Sequence, residues 1–158
     1  MTPEDLSEAR ANVIERAINI ETLLDAIISQ HYIGRVTRKF LFEVLYDEYF
    51  NFGLKVKIFS QITSEQSWVH KLNRLASIRN HFVHRGRLTV DFERGEEPFV
   101  PDPKNVAKSI DFDGLYTEFG KLADALETFL FEHYTRAGGQ LIDEPAAGGR
   151  KVIRAEEE

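Results

Sequence analysis

The stretch ASIRNHFVHRG, Ala76 to Gly86, sets an arginine, an asparagine and two histidines within six residues of an otherwise apolar, helix-like run. Histidine changes charge near neutral pH, and arginine carries a forked, permanently charged donor set suited to anions. The sequence has no cysteine, which excludes thiolate nucleophiles, disulfides and Cys-ligated metal centres. Any chemistry must therefore come from His, carboxylates, Arg, Lys or hydroxyls. From Gln66 to Val90 there is no acidic residue, while Lys71, Arg74, Arg79, Arg85 and Arg87 are positive and His70, His81 and His84 can become so. In a chain of net charge −6 this is a local basic island. It either binds an anion or pairs with acidic neighbours that the fold brings in.

The elements that must position this stretch are helical. At 158 residues, 42% hydrophobic and 11% aromatic, the chain has the size and composition of one globular domain. A long helix is expected over 2–32, capped by Thr2 and carrying Leu6, Val13, Ala17, Ile20, Leu24, Ile27 and Ile28 on one stripe. Helices over 38–50 and 53–62 follow, with a break near Asn51, and then one over 64–84 with Ser64 or Ser67 as its cap and Gly86 as its stop. The alternation of Leu88, Val90 and Phe92, with a turn signal at Arg94-Gly95, predicts a small β-hairpin-like insert over about 87–110. A helix with Leu115, Phe119, Leu122, Leu126, Phe129 and Leu130 on its apolar stripe closes the domain, 1–136. Residues 137–158 read as a flexible C-terminal tail, or as a strand loosely docked around Lys151 to Arg154. The fold class is all-α, a helical bundle with that insert between the motif helix and the C-terminal helix. No apolar run is long enough for a membrane span and the start of the chain does not resemble a signal peptide, so the expected setting is cytoplasmic.

On a helical wheel over 68–85, Trp68, Leu72, Leu75, Phe82 and Val83 form an apolar arc. His70, Asn73, Arg74, Ser77, Asn80, His81 and His84 form a polar one, with Asn80 and His84 one turn apart. Arg79 falls inside the apolar arc, where a guanidinium requires an anionic partner. Glu21, flanked by Ala17, Leu24 and Ile28 on the first helix, is the expected structural partner of Arg79. A metal site at His81 and His84 with His70 or Asp91 is a weaker alternative, because no clear third ligand is present. Each polar residue also has a bland explanation as core arginine, cap or solvated histidine.

The run RNHFVH is similar to the Arg-Asn-x3-His motif of HEPN domains, matched here by Arg79, Asn80 and His84. The preceding INIETLLDAII, KVKIFSQI and KLNRLASIRNHFVH also look like that family, over roughly Ala11 to Arg85. The resemblance implies a HEPN-like bundle, a homodimer through the motif helix, and metal-independent cleavage of RNA with no cofactor. It implies Arg79, Asn80 and His84 as the catalytic set. His81, Arg74, Lys71 and Arg85 are the accompanying candidates for RNA binding. It also suggests a toxin or defence component restrained by an inhibitory protein partner. The alternative is a non-catalytic HEPN-like regulator or partner-binding module.

Overall fold

The computed structural model describes residues 1–47, 49–85, 101–102, 105–144 and 150–157. Its frame is five α-helices. Helix α1 spans Pro3–Ile33, and its start is a capping box in which the Asp5 amide donates to Thr2 Oγ1 at 3.2 Å and the Thr2 amide donates to Asp5 Oδ2 at 2.9 Å. It ends at Gly34, whose φ of 79° is left-handed backbone that favours glycine. Helix α2, Arg38–Phe40, runs directly into a π turn, Leu41–Leu45. Asn51 caps α3, Phe52–Ile62, by accepting from the Leu54 amide at 3.1 Å. Helix α4, Gln66–Asn80, continues into a second π turn, His81–Arg85. Neither Ser64 nor Ser67 caps α4. Glu65 occupies that position, and the nearby hydroxyl in use is Thr63 Oγ1, which accepts from the Glu65 amide at 3.1 Å.

Asp111 caps α5, Phe112–Arg136, by accepting from the Gly114 amide at 2.8 Å. The chain then turns sharply at Gly138 and Gly139. A Cβ on Gly139 would lie 2.3 Å from the ring of the buried Tyr134, so the turn can close over that ring only with glycine. The core is one cluster: Val13, Ile20 and Leu24 of α1, Val56 and Phe59 of α3, Leu72, Leu75 and Ile78 of α4, and Phe119, Leu126 and Leu130 of α5. No helix of the described residues is long and apolar enough to cross a membrane.

The expected fold class is corrected in its β part. The regular β-hairpin among the described residues lies after α5: β3, Leu141–Glu144, pairs antiparallel with β4, Arg150–Ile153. Before α5 the described strand residues are a two-residue β1, Pro101–Asp102, against β2, Asn105–Ser109, in an irregular register. The alternation over Leu88, Val90 and Phe92 and the turn at Arg94-Gly95 lie outside the described residues. The segment expected as a flexible tail contains β3 and β4 and returns to the bundle. The Glu156 amide donates to Val36 O at 2.8 Å, the Arg38 amide donates to Glu156 O at 3.2 Å, and Leu141, Ile153 and Ala155 pack on the core. Backbone pairing and apolar contact together hold it there.

Candidate functional site

The motif residues occupy the junction between α4 and its π turn. Ile78 and Phe82 are fully buried, and the Phe82 ring packs edge-on against Phe112, with centroids 5.3 Å apart. That anchor fixes the turn against α5. Asn80 and His84 stand exposed, whereas Arg79 and His81 are half-buried. A π turn closes i+5 to i bonds and so holds more residues per turn than the 3.6 of an α-helix. Residues along the turn therefore advance by a smaller angle than on an α-helix, so the constant-angle wheel does not hold across His81–Arg85.

The expected Glu21–Arg79 pair is corrected. Lys55 Nζ donates to Glu21 Oε1 at 2.8 Å and to Asp25 Oδ2 at 3.0 Å, and no ion pair joins Arg79 to Glu21 among the described residues. Arg79 is half-buried at the end of α4. An arginine there can lay its aliphatic stem on apolar surface and keep its head group hydrated, so it does not require a buried carboxylate. Lys55 is 3% exposed and Asp25 1% exposed, so it is this lysine, on the apolar face of α3 with Phe52, Val56 and Phe59, that takes up the acids of α1. Only part of the signal lies in the sequence: Lys55 falls at apolar spacing on α3 and Glu21 and Asp25 are one turn apart on α1, but their meeting is set by how the two helices cross.

Burial is the largest influence on Asp25 and raises its pKa from 3.8 to about 6, against the hydrogen bond and charge of Lys55. Asp25 Oδ1 is buried without a hydrogen-bond donor among the described residues. Because the folded state binds this proton more tightly than the unfolded state, the carboxylate weakens the fold fully above about pH 6. That penalty is relieved as pH falls toward 3.8. The difference corresponds to about 3 kcal/mol. Urea denaturation of wild type and Asp25→Asn is therefore expected to show the wild type losing stability relative to the variant as pH rises from about 4 to about 7. Parallel pH profiles would remove Asp25 as the titrating group.

The basic island is only partly free. Arg74 donates from Nε and Nη2 to the two carboxylate oxygens of Glu118, each at 2.6 Å, and this bond holds the Glu118 carboxyl below its usual range. Lys71 Nζ sits 3.7 Å over the Trp68 ring, which itself stacks on Phe129. Both remain at the surface, but Arg74 is already paired across α4 and α5. The side chain of Arg85, and Arg87 with Asp91, lie outside the described residues. Among the described residues no group of three or more His, Asp or Glu is placed to hold a metal ion, so His81 and His84 have no third ligand there.

No family model, no curated protein and no solved structure matches the chain.

Proposed function

We propose that the chain is a metal-independent endoribonuclease of the HEPN type, acting as a homodimer through the α4 helix. The observation that carries this reading is the π turn. It fastens Phe82 in the core and leaves Asn80 and His84 at the surface beside the half-buried Arg79. In the reaction the ribose 2′-oxygen forms a bond to its own phosphorus and the bond to the 5′-oxygen breaks, leaving a 2′,3′-cyclic phosphate. His84 of one protomer takes the 2′-hydroxyl proton, and His84 of the other gives a proton to the departing 5′-oxygen. Arg79 balances the added charge on the phosphate oxygens, and Asn80, one turn from His84, orients its ring or donates to phosphate. His81, Lys71, Arg74 and Arg85 supply backbone contacts, with Arg74 available only in competition with Glu118. We place the activity in the cytoplasm, in keeping with a chain that contains no cysteine.

Incubation with a labelled structured RNA in EDTA tests this. Cleavage leaving a cyclic phosphate is expected, reduced about a hundredfold to ten-thousandfold by His84→Ala, the usual range for loss of a general acid or base. Arg79→Ala is expected to act on the same step without altering the product. Absence of cleavage across several RNAs by a folded dimer would favour the non-catalytic binding module, a reading that the Arg74–Glu118 pair and the acidic net charge support.

A further inference from the structure

We infer that the groove along α1, on a face separate from the motif turn, docks a basic amphipathic helical segment of a partner protein. The groove has a volume of about 1010 Å³, and none of its lining comes from α4. One wall is a stripe of α1 from Asn12 through Glu15, Asn19 and Leu23 to Ala26. At 1.5 Å per residue that stripe is about 21 Å long, the length of about four helical turns and more than a small molecule would span. Val36, Leu41 of the first π turn and Tyr46 just after it, Glu127 and Phe131 of α5, Ile153 at the end of β4 and Ala155 beyond it line the other sides. The bundle thus has a helix-sized trough between α1, α5 and the returning C-terminal segment.

Charge decides what fits it. The cation in the lining, Arg16, is held at 2.7 Å by Asp124 and at 3.0 Å by Glu127, so Glu15 leaves the lining negative. Glu43 and Asp47, exposed on and just after the π turn, flank the lining Leu41 and Tyr46; of the exposed cations near the lining, Arg35 meets Glu156 at 3.6 Å and Arg38 meets Glu157 at 3.2 Å, and Lys39 and Arg154 stand beside them. Aromatic surface adjoins the lining: Phe42, 65% exposed, meets the lining Tyr46, itself 47% exposed, edge to face at 5.1 Å. Exposed aromatic rings set among carboxylates receive guanidinium and ammonium groups from both their π faces and their neighbours' charge. The Leu23, Val36 and Phe131 end supplies apolar floor for the other face of the segment. A partner helix with Lys or Arg on one side and aliphatic residues on the other complements both halves.

Fluorescence anisotropy of the full chain with a labelled Leu–Lys amphipathic peptide of about four turns, and with its Leu–Glu counterpart, tests this. The Leu–Lys peptide is expected to bind, more weakly at high salt, and the Leu–Glu peptide not to bind. Phe42→Ser and Glu15→Lys are each expected to weaken binding by about tenfold while leaving cleavage of RNA unchanged. Equal binding of the two peptides, unchanged affinity in both variants, or no binding would overturn the proposal. So would sedimentation showing a dimer that Phe42→Ser converts to monomer, which would assign the face to a second copy of the chain.

Discussion

Lys55→Met is expected to destabilise the fold by about 3–5 kcal/mol, because removing one partner of a buried ion pair leaves the other charge without compensation. Lys55 stands between two carboxylates of α1, at 2.8 Å from Glu21 and 3.0 Å from Asp25. The pKa of Asp25 is raised to about 6 by burial even while Lys55 is present. Without the lysine, Asp25 relieves its buried charge by taking up a proton. The loss should therefore be greatest near pH 8 and smaller near pH 5, where Asp25, with its raised folded-state pKa, becomes neutral. Adding Asp25→Asn and Glu21→Gln to Lys55→Met should restore much of the stability, since a neutral replacement of the whole cluster carries no orphaned charge. Urea denaturation at both pH values measures this. A cost under about 1 kcal/mol, equal at the two pH values, would mean that the lysine behaves as a surface group.

Phe82→Ala is expected to cost about 3–5 kcal/mol, the range for emptying a fully buried aromatic site. Its ring is fully buried, edge-on to Phe112 at 5.3 Å and 6.3 Å from Tyr116, so the cavity would open at the seam between the π turn and α5. Phe82→Leu should cost less, because it keeps most of the volume. His84→Ala, two residues further along the same turn but exposed, should stay within about 0.5 kcal/mol of wild type. Thermal and urea unfolding of the three variants checks the contrast. A Phe82→Ala protein as stable as His84→Ala would show that the turn is not anchored by this ring and would remove the support it gives to the proposed site.

Helix positions were legible because their signals are local. Thr2 with Asp5, Asn51 and Gly34 each terminate a helix through hydrogen bonds or backbone conformation spanning a few residues. The separation of Asn80 and His84 from the buried Phe82 was equally readable, since it follows from periodicity along one element. Other features depend on residues far apart in the chain. The partner of Glu21 was set by where α3 crosses α1, and a wheel of either helix alone cannot say whether Lys55 or Arg79 arrives there. The widening of α4 at His81 is a change of hydrogen-bond register that a constant angle per residue cannot express. The docking of the C-terminal segment rests on the Glu156 backbone pairing with Val36 and Arg38, a long-range contact without side-chain code. By itself, then, the sequence determined the long helices α1, α3 and α5, their apolar faces and the exposed motif residues, because propensity, capping and periodicity act over one turn. The helix expected over 38–50 is instead the short α2 and a π turn. The tertiary structure alone decided which charges meet, how the motif turn is wound and what encloses the α1 groove, because those depend on packing between elements.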